Sequence, residues 1–109
     1  MATTWTHYKR SGARRPGSVY ECDLATTEVS DPLPIYPGET PTLTAVPAGS
    51  GKIQSTTVPP AEVAEAADDL WSDWDAGVVT AITDRVLEGE ATAVRGVSVS
   101  GALTVRVTR

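Results

Sequence analysis

The stretch ATAVRGVSVSGALTVRVTR, residues 91–109, carries the clearest structural signal in the chain. Its last part alternates strictly between apolar and polar residues, which is the two-residue period of a strand with one buried face. The side chains predicted to face the core are Leu103, Val105 and Val107. Ser100-Gly101 would join this strand to the preceding one as a tight hairpin, because glycine adopts positive φ at little cost. The stretch therefore predicts paired β-strands.

Strand patterns also occur upstream. SVYECDL (18–24) places Tyr20, Cys22 and Leu24 on one face. TLTAV (42–46) and GKIQSTTV (51–58) predict a second hairpin around PAGSG, and GVVTAI (77–82) predicts a further strand. The proline-rich stretch 30–41 can cross between two sheets but cannot form an inner strand. We expect an all-β protein, a small β-sandwich or barrel-like domain.

The segment PPAEVAEAADDLWSDW, residues 59–74, has a different period. Its apolar residues fall on one face of an amphipathic helix, and Pro60 near its start suits a helix N-terminus. We therefore allow one short helix around residues 60–74. Because the chain has three tryptophans and no phenylalanine, Trp71 and Trp74 are predicted to fill the core or a subunit interface. If exposed instead, they would make the chain a carbohydrate-binding β-module.

Charge is distributed unevenly along the 109 residues, which carry a net charge of -5. Residues 1–17 contain four basic residues and no acid, so we predict an extended basic N-terminal arm followed by a single β domain over residues 18–109. The acidic body disfavours nucleic acid as a partner, and no apolar run approaches the ~18 residues of a membrane span. The arm is predicted to bind a partner protein through Trp5, Tyr8, Lys9, Arg10, Arg14 and Arg15.

Catalytic and metal-binding patterns fail on inspection. AGSGKI (48–53) lacks the first glycine and the closing Ser or Thr of a phosphate-binding loop, and residues 73–84 depart from a calcium loop at three positions. The one histidine, His7, lies in the arm, and the one cysteine, Cys22, is predicted to face the core. We expect no catalytic residues, no metal and no cofactor, and therefore no enzyme.

The C-terminal 60 residues or so resemble small virion proteins of tailed bacteriophages. The residues that carry the resemblance are GSGKIQSTT, AEVAEAADDL, WSDW, AGVVTA, VLEGEATAVRGVSVSG and ALTVRVTR, in that order. The resemblance implies a capsid decoration or cement protein, made in the cytoplasm of a bacterial host, located in the virion and bound to the major capsid protein as a homo-oligomer. A neck, tail or fibre-associated virion protein is the alternative. The resemblance also implies a strand at Trp71–Trp74, which conflicts with the helical period of residues 59–74.

Overall fold

The computed structural model describes residues 4–9 and 18–109, which form an all-β sandwich. The two sheets are antiparallel, and the prediction of a small all-β sandwich domain is confirmed. Within the described residues the strands are β1 (Thr6–Lys9), β2 (Ser18–Leu24), β3 (Leu33–Pro34), β4 (Thr42–Pro47), β5 (Ser50–Thr56), β6 (Ser72–Asp73), β7 (Thr83–Val86), β8 (Ala93–Ser100) and β9 (Leu103–Thr108).

One sheet has the strand order β1-β2-β9-β4-β7, and the other has the order β3-β8-β5-β6. The core lies between them and is built from the inward residues of both sheets. The predicted alternation in β9 is confirmed, since Leu103, Val105 and Val107 are at most 1% exposed. Cys22 and Leu24 are also buried, as the alternation in β2 predicted.

The two predicted hairpins are wrong, although their turns lie where the sequence placed them. β4 and β5 belong to different sheets, and so do β8 and β9. Each turn is a corner at which the chain leaves one sheet for the other. The two corners lie against each other, with the Ala48 N–H donating to the Ala102 carbonyl at 2.8 Å. A hairpin and a corner need the same small residues, so the turn sequence does not distinguish them.

The segment 59–74 contains two short 3-10 helices, Pro60–Glu65 and Asp68–Leu70. Ala66 and Ala67 between them have extended backbone, with ψ of 130° and 155°, so no continuous amphipathic helix forms. β6 (Ser72–Asp73) then follows. The expected helix is therefore present only as 3-10 turns that end at Leu70, and the tryptophan pair flanks a short strand.

The strand predicted over residues 77–82 is wrong. Gly77 has a φ of 64° and donates its N–H to the Trp74 carbonyl, so the chain turns there. Val79 makes only an isolated bridge to Gly51. The regular strand begins later, at Thr83, and pairs with β4.

The described part of the N-terminal arm is used within the chain. β1 pairs with β2, and the Trp5 indole N–H donates to the Asp31 carbonyl at 2.7 Å. Tyr8 and Lys9 belong to β1, whereas Arg10, Arg14 and Arg15 lie outside the described residues. The division at residue 17 and the arm's role in binding a partner stay predictions. Nowhere in residues 4–9 and 18–109 is a helix long and apolar enough to cross a membrane.

Candidate interaction surface

Both tryptophans of the WSDW stretch are buried. Trp74 is 8% exposed, packs in the main core and donates its indole N–H to the Gly77 carbonyl at 2.6 Å. Trp71 is 6% exposed and packs in a second small cluster with Val63 and Ala93. Their bulk fills the space that phenylalanine would otherwise occupy.

Trp71 is also covered by a cation. The Arg95 guanidinium lies 4.4 Å from the centroid of the Trp71 ring, and Arg95 Nε donates to Gln54 Oε1 at 2.9 Å. Gln54 in turn donates to Asp73, whose pKa is lowered by that hydrogen bond and by the nearby Lys52 ammonium. Neither Trp71 nor Trp74 therefore offers an open ring face to a sugar, as a carbohydrate-binding module would require.

The thiol of Cys22 lies in the core between the two sheets. Burial, and then the negative charges of Asp23, Asp31 and Glu28, raises its pKa to about 12. A thiol must lose its proton to act as a nucleophile. Near neutral pH the Cys22 side chain therefore stays protonated and behaves as a small apolar core residue.

We expect Cys22 to resist thiol reagents until the domain unfolds. At pH 8 a pKa of about 12 leaves the thiolate fraction roughly three orders of magnitude below that of an ordinary exposed cysteine. The measurement is labelling with a chromogenic disulfide reagent, with and without denaturant. The matched control carries Val99→Cys in a Cys22→Ala background, because position 99 is 43% exposed. Equal native labelling rates of the two proteins would contradict the buried position.

His7 of the arm stacks on Tyr20, with ring centroids 4.5 Å apart and an interplanar angle of 13°. The pair connects β1 to β2, since His7 of β1 and Tyr20 of β2 are direct partners in the ladder.

Across residues 4–9 and 18–109, no three His, Cys, Asp or Glu side chains come together as metal ligands.

The open edge of β7 is the feature that the sequence did not reveal. β7 pairs with β4 on one side and is the last strand of its sheet among the described residues. The Leu87 N–H donates to the Pro41 carbonyl, and pairing groups alternate along an antiparallel strand. Thr83 and Arg85 therefore bond to β4, while the main-chain groups of Asp84 and Val86 point to the open side. The Asp84 carbonyl accepts a hydrogen bond there from Arg85 Nη1 at 2.8 Å.

The side chains on the same strand add apolar surface to this edge. Val86 is 58% exposed, and Ile82, directly before β7, is 69% exposed. Arg85 lies opposite the buried Leu43 and so faces inward, which places Ile82, Asp84 and Val86 on the outer face. Thr44 Oγ1 donates to Asp84 Oδ1 on that face. An unpaired strand edge with protruding apolar side chains is a template for pairing with another strand.

Comparison with known proteins gives no match to any protein-family model or curated protein. Two solved structures are similar in fold. One is an RmlC-like cupin protein from Desulfovibrio desulfuricans, 8% identical over 96% of this chain and 81% of that chain, with a TM-score of 0.48. The other is a cupin domain from Bordetella pertussis Tohama I, 10% identical over 98% of this chain and 94% of that chain, with a TM-score of 0.49.

These comparisons correct the phage interpretation. The structural neighbours are bacterial cupin proteins, and no family model or curated protein links the chain to a bacteriophage. The predicted membership in the capsid-decoration proteins of tailed phages is wrong. The predicted location in the virion is wrong as well. The resemblance rested on structural residues such as turns and alternating strands, which many small β-proteins share. Binding to a major capsid protein and the absence of enzymatic activity stay predictions.

Proposed function

We propose that this chain is a non-catalytic β-sandwich module that forms a homodimer by antiparallel pairing of β7 with β7 of a second copy. The observation that carries the proposal is the exposed Ile82 and Val86 side chains on an open strand edge. A small domain of this kind gains stability from association, because a partner that binds only the folded state shifts the folding equilibrium.

The register of such a pair follows from symmetry. A two-fold axis perpendicular to the sheet keeps every side chain on its own face, so opposing residues must both be odd-numbered or both even-numbered. Centring the axis on Asp84 places Ile82 opposite Val86 of the second copy, and the reverse contact follows from the symmetry. Both apolar side chains then lie against an apolar neighbour.

Main-chain groups favour the same register. Asp84 and Val86, with Ile82 by the same alternation, direct their N–H and C=O groups to the open side. Three opposing pairs would then form, and since each exchanges two bonds the interface would contain about six main-chain hydrogen bonds once the Arg85 side chain releases the Asp84 carbonyl. Centring the axis on Arg85 would likewise place two like charges at the axis, and it would set Val86 opposite Asp84 and Ile82 opposite Glu88, so that neither apolar side chain meets an apolar partner. The strand is thus most complementary to itself around Asp84.

The non-catalytic part of the proposal rests on the two groups most suited to nucleophilic chemistry. Cys22 is buried and protonated near neutral pH, since its pKa is about 12. His7 is stacked on Tyr20 at the sheet edge.

Proline at position 84 should abolish the dimer without unfolding the protomer. Asp84→Pro removes an N–H that points away from β4, and proline is tolerated on the open side of edge strands. Asp84→Ala is the matched control, because it also loses the Thr44 hydrogen bond but keeps the N–H. The measurement is the dimer dissociation constant from sedimentation equilibrium, with circular dichroism to verify the fold.

Asparagine at the same position should strengthen association. Two Asp84 carboxylates face each other at the proposed axis, and like charges directly opposite are destabilising by about 0.2–1 kcal/mol. Asp84→Asn should therefore lower the dissociation constant by roughly 1.4- to fivefold. A wild-type chain that stays monomeric at millimolar concentration, or an Asp84→Pro variant that dimerises as well as Asp84→Ala, would refute pairing through β7.

A further inference from the structure

A cleft of about 380 Å³ opens between two connecting segments of the chain. One wall is the turn Tyr36–Glu39, and the other is the segment 89–92. The buried Ile35 contributes to the lining, and its N–H donates to the Thr92 carbonyl at 2.9 Å, which ties the two walls together. The proposed dimer does not use any residue of this cleft.

The Tyr36–Glu39 wall is a defined turn. Its second and third residues are Pro37 and Gly38, Gly38 has a φ of 85°, and the Glu39 N–H donates to the Tyr36 carbonyl at 3.1 Å. Proline followed by a glycine with positive φ is the signature of a type II turn. The Glu39 carboxylate folds back and accepts the Tyr36 N–H at 2.7 Å. The backbone of the turn and the Glu39 carboxylate are therefore held in place before any ligand arrives.

Tyr36 presents a large apolar surface at this cleft, since the residue is 60% exposed. The Arg109 guanidinium lies 5.5 Å from the Tyr36 ring centroid and 4.5 Å from that of Tyr20. Arg109 Nη1 also donates to the Pro34 carbonyl and to Glu39 Oε1. The cation is 11% exposed, so it supports the ring from the protein side and leaves the rest of the ring open.

The charges around the cleft select the kind of ligand. Glu39 extends from one wall and Glu90 from the other, and because Arg109 neutralises Glu39, an anion would be repelled chiefly by the Glu90 carboxylate. An organic cation would have to bind beside the Arg109 guanidinium, which already neutralises Glu39. A neutral ligand with many hydroxyl groups avoids both conflicts, because carboxylates accept strong hydrogen bonds from hydroxyls.

We infer that this cleft binds a neutral saccharide. The open part of the Tyr36 ring would take the apolar face of a sugar ring, as exposed aromatic residues do with ligands that are apolar on one side. Glu39 and Glu90 would accept hydrogen bonds from its hydroxyls across the cleft. The apolar lining with a few convergent polar groups fits a small-molecule site. This inference is independent of the proposed dimer, since every residue comes from one protomer.

The test is amide-shift mapping by heteronuclear NMR with maltose, cellobiose and lactose, each at millimolar concentration. We expect at least one of them to shift the amides of Gly38, Gly89 and Ala91, which line the cleft. Tyr36→Ala should weaken that binding about tenfold, the upper range for one aromatic contact. Glu90→Gln should weaken it by a similar factor, because it converts a charge-assisted acceptor into a neutral one.

Glu62→Gln is the matched control, since Glu62 is an exposed carboxylate in the Pro60–Glu65 3-10 helix, outside this cleft. It should bind the saccharide as the wild-type chain does. Choline and acetate are titrated in parallel as an organic cation and an anion. Shifts at the cleft with choline or acetate but with none of the three sugars would overturn the inference. Absence of shifts with every probe, or equal binding by Tyr36→Ala, would also overturn it.

Discussion

Trp74→Ala should lower the free energy of unfolding by about 3–5 kcal/mol, the usual cost of removing a buried tryptophan. The side chain is 8% exposed and packs in the main core between the two sheets. Its backbone N–H also donates to the Ile53 carbonyl at 2.8 Å, so the residue fixes the chain where it leaves β6. The alanine variant loses the transfer free energy of the indole and leaves a cavity that the rigid sandwich fills only in part. Urea denaturation followed by circular dichroism measures the loss.

Two further variants separate packing from other effects. Trp74→Phe keeps most of the apolar bulk but loses the hydrogen bond from the indole N–H to the Gly77 carbonyl, and should cost about 1–3 kcal/mol. Leu70→Ala changes a nearby residue that is 50% exposed, and should change stability by about 0.5 kcal/mol or less. If Trp74→Ala costs no more than Leu70→Ala, Trp74 is not a core residue.

Gly49→Ala should be the most damaging of the small substitutions, with an expected loss of about 3 kcal/mol. A Cβ atom at position 49 would lie 2.2 Å from the Ser100 carbonyl oxygen, which belongs to the other corner. Main-chain atoms on both sides must move to relieve that overlap. The movement would strain the hydrogen bond from the Ala48 N–H to the Ala102 carbonyl, which joins the two corners.

Gly77→Ala is the appropriate comparison for Gly49→Ala. Gly77 has a φ of 64°, so alanine there is strained by about 1–2 kcal/mol, but its Cβ meets nothing within 4 Å. The larger loss at Gly49 would therefore report steric overlap and not a loss of backbone freedom. Equal losses in the melting temperatures of the two variants would mean that the corners do not pack closely.

The fold class was predictable because the period-2 alternation in β2 and β9 directly reports one buried face. The pairing of strands was not predictable, because Gly101 and its neighbours suit a hairpin as well as a corner between sheets. The choice depends on where each strand finds its hydrogen-bond partners. β9 lies between β2 and β4, which are far from it in the chain. The helical period around residues 60–74 was misleading for a related reason, because packing of Val63 and Trp71 on the sheet outweighed weak local preferences.

The candidate surfaces were harder to predict than the core. Ile82 and Val86 are apolar residues near a strand, so their sequence pattern indicates burial, and only the position of β7 at the sheet edge exposes them. Tyr36 lies in a proline-rich connection without periodicity. Its relation to Glu90 and Arg109 depends on contacts across more than fifty residues. Trp71 and Trp74 attracted attention by their chemistry, yet both are buried.

The central position of β9 has a consequence for synthesis. Thr104 Oγ1 donates to Asp23 Oδ1 across 81 residues, and β9 is the strand that joins β2 to β4. On the ribosome, β2 can pair only with β1, and β4 only with β7, until residues 103–108 emerge, so each of the two strands keeps one open edge. During that time the sheet that carries Leu24 and Leu43 stays divided into two separate pairs of strands. A nascent chain in this state is prone to aggregation and is a natural substrate for chaperones.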